Sequence, residues 1–526
     1  MTAPALPALA HSPRRWLALA ALTLSVLIVG LDGTIINVAL PTLSTELGAD
    51  SAQLQWIGGG YLLALSVAML PVGLLGDRYG HKRLLLGGIT LFGLASLAGA
   101  MVGSPAAVIT VRAVLGLGAA MIMPLSMAIL PRVFAKSELP KAVAVWTAAT
   151  ALGMPIGPVV GGWLLNHFWW GSVFLFNVPV VALALAAAIW LLPSDRTRAQ
   201  QATAKAPFDT LGTALSALGI TALVYGTILI PTEGWTSPQV LVTLAAGLAL
   251  IALFVRRQLR TSHPLVDLTL LRNRNFLWGT LIAVFVNFAV MGILFVVPQY
   301  LEAVLGNDAL GTGLRVLPLI GGLMAAATLS EALVPRLGAR KVIPAGLLLL
   351  AAGAVMGAMT DAADGYTFTA IWLTLTGLGF GTAVVPATSL AMSSLPSDTA
   401  GQGTSLLETV QQVGGVLGVA GLGSLLSAGY LARLTLSPDV PSDTAGAARD
   451  SVSAADAVAA QLHDPDLLAS AHQAFTHGMN LVMLACGAIS VLAALLAARY
   501  LPGRTAPQPA PVPVATTTAV PAESLS

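Results

Sequence analysis

The sequence predicts an all-α membrane protein in which fourteen transmembrane helices form two six-helix bundles and one inserted helix pair. Its composition, its repeated apolar runs and an internal repeat support this prediction. Of the 526 residues, 56% are hydrophobic and only 9% are charged, and the mean hydropathy is +0.84. So few charged residues cannot keep the surface of a chain this long solvated in water, and we expect it to lie in a lipid bilayer.

The apolar runs have the length of helices. A transmembrane helix needs about 20 mostly apolar residues, whereas a transmembrane strand needs about half that length and alternates in polarity. The runs are continuous and are separated by short segments rich in glycine, proline or charge. The predicted spans are 16–38, 53–75, 84–102, 106–131, 141–165, 171–193, 209–230, 238–256, 276–303, 312–334, 342–360, 367–393, 405–428 and 476–500.

The basic residues predict the orientation of the spans, because Lys and Arg near span ends are retained on the cytoplasmic side. With both termini inside, all but four of the 25 Lys and Arg residues fall in inner segments. Arg433 and Arg449 lie outside, and Arg112 and Arg315 lie within spans. We expect a multi-pass protein of a bacterial inner membrane with cytoplasmic termini. The net charge of +2 reflects this topology and does not indicate nucleic-acid binding.

An internal repeat divides the chain into two halves. Three pairs of similar segments are separated by 258 to 262 residues. They are DRYGHKR at 77–83 with PRLGARK at 335–341, the glycine and proline pattern of 116–124 with 377–386, and Gly153 and Gly157 with Gly414 and Gly418. Two matched six-helix halves are a common way for secondary transporters to build a central site that opens to alternate sides.

The repeat predicts the domain organisation. The parts are a disordered tail at 1–15, a first bundle at 16–193, an inserted helix pair at 209–256, a second bundle at 276–500 and a disordered tail at 501–526. The second bundle contains an external loop at 429–475, whose alanine-rich middle could form short surface helices. The single cysteine, Cys486, excludes an internal disulfide and a cysteine-rich metal site.

Four motifs follow one another along the first half of the chain. They are LDGTIINVALP at 31–41, GLLGDRYGHKR at 73–83, RAVLGLGAAMIMP at 112–124 and ALGMPIGPVVGG at 151–162. In this order they resemble the major facilitator superfamily, and within it the fourteen-spanner drug:proton antiporters, over nearly the whole chain. The resemblance implies the major facilitator fold and a proton-coupled antiporter. Such an antiporter exports lipophilic, often cationic drugs or toxic compounds from the cytoplasm by alternating access, driven by the proton gradient without a cofactor.

Asp32 is the first candidate for proton coupling. An ionised carboxylate inside a span is costly unless it faces a cavity, has a partner or takes up a proton. Burial favours the neutral form and a nearby cation favours the charged form, so a proton and a cationic substrate can exclude one another. The alternative is a structural carboxylate that is hydrogen-bonded to neighbouring helices.

Arg112 and Glu408 are the other two proton-coupling candidates. The guanidinium of Arg112 stays charged and needs an acid, a carbonyl or water nearby, and the resemblance assigns it to proton transfer. The alternative is an arginine that reaches the outer interface. The repeat aligns Glu408 with Thr147, so only one half has an acid there, which favours proton coupling or attraction of cations. The alternative for Glu408 is a solvated residue at the cytoplasmic interface. Weaker candidates near span ends are Glu302, Arg315 and Glu331.

The resemblance also implies a cytoplasmic gate motif. Its residues are Gly73, Asp77, Arg78, Gly80, Lys82 and Arg83. Retention of basic residues in the cytoplasm explains the cations alone, but topology requires no Asp77. The resemblance implies that Asp77 pairs across the two halves and holds the inner gate closed, so that its removal would shift the equilibrium between states.

The glycines of the fifth span form the antiporter motif. Its residues are Gly153, Gly157, Pro158, Gly161 and Gly162. Glycines four residues apart lie on one helical face and allow a neighbouring backbone to approach, and Pro158 is expected to bend the helix. Ordinary helix packing explains the same pattern. The resemblance associates the motif with antiporters more than with importers.

Other classes of protein fit the sequence less well. No His pair with metal spacing, no nucleophile elbow and no Gly-Lys dipeptide occurs, so we expect neither an enzyme, a metal site nor an ATP-driven pump. The sequence shows no soluble signalling domain of the kind that a receptor would carry, so we do not expect a receptor. A proton-coupled importer and a dedicated exporter of one endogenous metabolite or antibiotic remain alternatives. The expected partners are protons, small hydrophobic or cationic substrates and the lipid bilayer, with the monomer as the functional unit.

Overall fold

The computed structural model describes residues 14–49, 51–135, 137–193, 209–261, 264–362, 364–395, 400–436 and 442–501. Within these ranges, fourteen segments are helical, long and apolar enough to cross a membrane, and each coincides with one predicted span. No strand occurs in the ranges just given. The predicted fold class and number of spans are confirmed.

The helices follow the order of the predicted bundles. The first bundle contains α1 (Arg14–Leu47), α2 (Ser51–Tyr79), α3 (His81–Gly99), α4 (Pro105–Val133), α5 (Leu139–His167), and the sixth span of α6 (Ser172–Leu175) and α7 (Asn177–Leu191). The inserted pair is α8 (Thr210–Glu233) and α9 (Pro238–Gln258). After a 3-10 turn at Leu268–Arg272, the second bundle contains α10 (Arg274–Gln299) with a π-helical turn at Tyr300–Val304, α11 (Ala309–Leu337), α12 (Ala339–Gly357), α13 (Tyr366–Ser393), α14 (Ala400–Arg433) and α17 (Pro465–Tyr500). The short helices α15 (Ser442–Asp450) and α16 (Val452–Leu462) connect α14 to α17.

Several helices begin at polar side chains that cap their first free N–H groups. The carboxylate of Asp308 accepts a hydrogen bond from Gly311 N at 2.8 Å, at the start of α11. Asn273 Oδ1 accepts one from Asn275 N at 2.9 Å, at the start of α10. Because these caps stand between apolar runs, they define helix starts that hydropathy alone leaves open.

The internal repeat is visible in the backbone. Gly80 joins α2 to α3 with φ 99°, and Gly338 joins α11 to α12 with φ 82°. Both values lie in the region that favours glycine, because a Cβ atom there clashes with the backbone. The packing repeats as well, because α5 lies against α1 in the first half and α14 lies against α10 in the second.

Some predicted boundaries differ from the structure. Helix α1 begins at Arg14, inside the predicted tail 1–15, while 1–13 and 502–526 lie outside the described residues. Helices α14 and α17 extend into the predicted loop 429–475 and leave only 434–464 between them. Two short helices occupy part of this connection, and Tyr430 Oη donates a hydrogen bond to Ala448 O at 2.7 Å. Apolar length therefore marks the membrane span but not the full helix.

The inserted pair lies beside the seam between the two halves. Helix α8 packs against α2 of the first half and α14 of the second, whereas α9 packs on α8. Only 17% of the most apolar 18-residue stretch of α9 is buried inside the protein. Most of this helix therefore faces outward. The halves themselves meet through α2 with α14, α4 with α14, and α5 with both α11 and α13.

Candidate functional site

Asp32 and Arg112 form an ion pair inside the first bundle. Arg112 Nη1 donates to Asp32 Oδ2 at 2.7 Å, and both side chains are only 1% exposed. Arg112 Nε donates to Ile57 O at 3.1 Å, while no described residue accepts a hydrogen bond from its buried Nη2. Arg112 therefore does not reach the outer interface. In this structure the cation beside Asp32 is an arginine.

Two residues that sequence reasoning did not single out complete this site. Asn177 Nδ2 donates to Asp32 Oδ1 at 2.8 Å. The ring of Tyr61 lies 4.3 Å from the Arg112 guanidinium carbon, and Tyr61 Oη donates to Val29 O at 3.1 Å. Asp32 thus accepts a hydrogen bond at each carboxylate oxygen, which stabilises its charged form. The signal for Asn177 was available, because it is a lone amide within the apolar run of 171–193.

The glycines of α5 position the segment of α1 that carries Asp32. A Cβ on Gly153 would lie 2.5 Å from Gly30 C and from Leu31 N, and one on Gly157 would lie 2.8 Å from Leu31 O. Gly161 faces Ile35 in the same way. Thr34 Oγ1 lies within hydrogen-bond distance of Gly153 O, at 3.2 Å, and of Leu31 O in its own helix, at 3.1 Å.

One member of the antiporter motif, Gly162, differs from expectation. Gly162 has no atom within 4 Å of the position that a Cβ would occupy, so it takes no part in this close approach. Pro158 lies inside helix α5, which runs from Leu139 to His167, and the bend expected there stays a prediction. The close approach to α1 therefore depends on Gly153, Gly157 and Gly161.

We expect Gly153→Ala to destabilise the protein and Gly162→Ala to leave it unchanged. The methyl group at 153 would meet backbone atoms of α1, which cannot rotate away, and overpacking of this kind costs about 1–3 kcal/mol. The same methyl group at 162 enters open space. Thermal unfolding of the two purified variants in one detergent measures the difference. Equal unfolding midpoints would show that the close packing of α5 on α1 is not required for stability.

Asp77 connects the two halves at the end of the molecule where α2 finishes. Its Oδ1 accepts a hydrogen bond from Gly401 N at 2.9 Å, and its Oδ2 accepts one from Gln402 N at 2.8 Å. These N–H groups belong to the first turn of α14, where the helix dipole is positive and favours a carboxylate. Asp77 thus lies in the last turn of α2 and caps a helix of the opposite half.

Close backbone contact surrounds this cap, in a region that we call the Asp77 seam (Gly73, Asp77, Gly401 and Ser405). A Cβ on Gly73 would meet Ser405 Oγ and would lie 2.5 Å from Gly401 O. His81 Nε2 lies 3.2 Å from Asp77 Oδ1, with a side chain that is 1% exposed. Helices α2 and α14 therefore touch along their backbones beside the Asp77 cap.

Two other gate residues, Lys82 and Arg78, make contacts within the first half. Lys82 Nζ donates to Ile189 O and Leu192 O, each at 2.7 Å, and so caps the end of α7. The guanidinium carbon of Arg78 lies 5.6 Å from the ring centre of Tyr79, and Arg83 is exposed. Asp77 forms hydrogen bonds to the other half, and Gly73 packs against it.

Glu408 lies on α14, one turn beyond the Asp77 seam. It is 6% exposed, which contradicts its interpretation as a solvated interfacial residue. No described residue forms a hydrogen bond or an ion pair with its carboxylate. The buried amide nitrogen of Gln411, three residues further on and on the same face, also lacks an acceptor among the described residues. This face of α14 offers polar groups that the described protein does not satisfy.

The weaker candidates stay apart from these sites. Glu302 is exposed in the π-helical turn, and the structure does not describe the side chain of Glu331. Arg315 Nη1 donates to Gly311 O at 3.3 Å within its own helix. In the part of the chain that the structure describes, no group of three or more His, Cys, Asp or Glu side chains is arranged to hold a metal ion.

Two similar six-helix bundles that meet along their helices, with a buried ion pair in one of them, are typical of secondary transporters. The family model "Major Facilitator Superfamily" matches residues 22–419. The solved structure of the proton:xylose symporter XylE superposes with a TM-score of 0.60 at 14% identity, covering 93% of this chain and 96% of that one. The chain belongs to the major facilitator superfamily.

Relatives place the chain within the superfamily. It is 33% identical to the tetracenomycin C resistance and export protein of Streptomyces glaucescens, with 96% of this chain and 97% of the relative covered. It is also 33% identical to the methyl viologen resistance protein SmvA of Salmonella typhimurium, with 92% and 97% covered. The multidrug efflux pump LfrA of Mycolicibacterium smegmatis is 31% identical, with 90% and 94% covered. The chain is therefore a multi-pass membrane transporter of the drug-efflux type and not an enzyme.

Proposed function

We propose that this protein is a proton-coupled antiporter of a bacterial inner membrane that exports lipophilic, often cationic compounds from the cytoplasm and acts as a monomer. The observation that carries the proposal is the Asp32–Arg112 ion pair, in which a buried carboxylate is bound by one cation and by the amide of Asn177. We assign the Asp77 end, with most of the basic residues, to the cytoplasm. The efflux and resistance proteins to which the chain is similar support the export direction.

The proton competes with Arg112 for Asp32. Protonation removes the charge that attracts the guanidinium, and Arg112, which keeps its own charge, must find another acceptor. Asp32 lies on the stretch of α1 that packs against Gly153 of α5, and α5 contacts the second half. Movement of this stretch is therefore the route by which protonation biases the arrangement of the two halves.

The Asp77 seam is the cytoplasmic gate of this cycle. The cap on α14 stabilises the arrangement that is closed to the cytoplasm, and it must break before a substrate can enter from that side. The free energy of this cap sets the fraction of molecules that accept substrate, so a change at Asp77 acts on turnover without contact to the substrate.

Glu408 is the proposed attachment point for a cationic substrate. A buried carboxylate without a protein partner gains from a bound cation, which replaces the water it has lost. We expect Glu408→Gln to abolish or strongly reduce transport of a lipophilic cation such as ethidium while transport of an uncharged substrate continues. Competition assays with one cationic and one neutral compound in the same vesicles measure the ratio of their two transport rates. An equal decrease for both compounds would assign Glu408 to proton coupling.

A dedicated exporter of one endogenous metabolite or antibiotic is the second candidate function. The observation that favours it is the similarity to a tetracenomycin C resistance and export protein. The methyl viologen resistance protein is equally similar and supports the broader function. Growth inhibition of cells with and without the protein by several unrelated lipophilic cations separates the two, because a dedicated exporter would protect against none or one of them.

Purified protein in liposomes tests the proposed function. With the lumen more acidic than the medium, antiport drives a fluorescent lipophilic cation into the vesicles through inserted molecules whose cytoplasmic face is outside. We expect uptake that stops when a protonophore removes the pH gradient. Absence of uptake by folded protein would favour a narrow, uncharged substrate or transport in the opposite direction.

A further inference from the structure

We propose that the cytoplasmic end of the inserted helix pair binds the phosphate headgroup of an anionic phospholipid. The assignment of this end to the cytoplasm follows the proposed topology, but binding itself does not depend on proton coupling. A cavity of about 340 Å³ lies between α8 and α9. Its lining includes Leu211, Leu215, Leu253, Arg256, Arg257 and Arg260.

The charges of the cavity leave two arginines for a ligand. Arg257 Nε and Nη2 both donate to Asp209 Oδ1, at 3.0 and 2.8 Å, and Gln258 Nε2 donates to Asp209 Oδ2 at 3.0 Å. Burial by itself raises the pKa of Asp209, but these hydrogen bonds outweigh it and hold the pKa below its usual range. Asp209 is therefore charged and neutralises Arg257. Arg256 and Arg260 have no hydrogen-bond or ion-pair partner among the described residues.

The walls of the cavity favour a lipid over a soluble phosphate. Leu211 is 52% exposed and Leu253 is 49% exposed, and both lie beside the arginines. Because most of α9 faces outward, the surface below these leucines contacts acyl chains once the helix is in a membrane. Arginines at the interface with an apolar wall beneath them match a lipid, which presents a phosphate above and hydrocarbon below.

The proposed site adjoins the contacts that the inserted pair makes with the two halves. Leu215 lines the cavity and also belongs to a buried cluster with Leu70 of α2 and Leu265, against which Leu406 of α14 packs. Gln258, whose amide nitrogen binds Asp209, accepts a hydrogen bond from Leu265 N at 2.6 Å. A bound lipid therefore stabilises the end of α9 that holds this cluster beside the Asp77 seam.

The test is lipid binding by native mass spectrometry. Delipidated protein is titrated with phosphatidylglycerol, and the variant Arg256→Gln/Arg260→Gln is compared with Arg272→Gln/Arg274→Gln, an exposed pair on the same end that does not line the cavity. At about 1 kcal/mol for each basic residue, the first variant should bind its tightest lipid roughly 30-fold more weakly. The control pair should bind like the wild type, and Arg256→Lys/Arg260→Lys should retain most of the affinity.

Three results would overturn the proposal. One is an unchanged affinity of Arg256→Gln/Arg260→Gln, and another is an equal loss in the control pair, which would indicate attraction without a site. The third is displacement of phosphatidylglycerol by inorganic phosphate or glycerol phosphate at similar concentrations, which would assign the cavity to a soluble phosphate. Phosphatidylcholine should bind equally to all variants. Because the assay needs no transport, its failure is distinguishable from failure of the proposed antiport.

Discussion

Asp32→Asn is expected to abolish proton-driven efflux and also to destabilise the protein. The amide cannot carry the exchangeable proton, so uptake in acid-loaded liposomes should fall to the level of protein-free vesicles. It also leaves the Arg112 guanidinium buried at 1% exposure without its carboxylate. Removal of one partner of a buried ion pair costs about 3–5 kcal/mol. Uptake and thermal unfolding are measured on the same preparation.

The double variant Asp32→Asn/Arg112→Gln separates coupling from stability. Two neutral amides can hydrogen-bond to each other and to Asn177, so most of the lost stability should return because no buried charge is left unpaired. Proton-driven uptake should not return. Recovery of both stability and proton-driven uptake would show that the ion pair is a structural link between α1 and α4, the alternative that the sequence left open.

Asp77→Asn is expected to open the Asp77 seam and to lower turnover more than substrate affinity. The amide loses the charge at the start of α14 and one of the two acceptors that bind Gly401 N and Gln402 N. A hydrogen bond to a charged group contributes about 1.5–3 kcal/mol, and the helix dipole about 0.3–1 kcal/mol. A loss of about 2 kcal/mol shifts the ratio of closed to open molecules roughly 30-fold.

Distances between two spin labels measure this shift. Tyr79 and Leu337, at the ends of α2 and α11 in opposite halves, are 44% and 48% exposed and suit labelling through cysteine. The natural Cys486 is buried, and its replacement by serine removes the remaining thiol. Glu138→Gln is the matched control, because Glu138 pairs at 2.8 Å with Arg15 of the same half. An unchanged distance distribution in Asp77→Asn, or weaker binding at full turnover, would contradict the proposed gate.

The sequence predicts the spans and the repeat well because both depend on local properties. Apolar length defines each span, and Gly80 and Gly338 satisfy the same backbone requirement in each half. Helix ends were less predictable, as the extension of α17 to Pro465 shows, because helices continue beyond the membrane where capping and packing allow.

The contacts of the candidate site depend on tertiary packing and could not be read from the sequence. Arg112 requires an acceptor, but its pairing with Asp32, 80 positions away, follows from how α1 and α4 meet. The partners of Asp77 are backbone N–H groups, which every residue type except proline provides and which therefore leave no sequence signal. Glu408 is buried because α14 packs against helices of the first half, of its own half and of the inserted pair.

Proton movement driven by a substrate gradient tests the central proposal most directly. Liposomes with equal pH on both sides and a trapped pH indicator are given an inward gradient of a lipophilic cation, with the membrane potential clamped. Antiport predicts that the lumen becomes alkaline as protons leave in exchange, and that Asp32→Asn/Arg112→Gln abolishes this change while remaining folded. Acidification of the lumen would indicate symport, and a constant pH during measured substrate entry would contradict proton coupling.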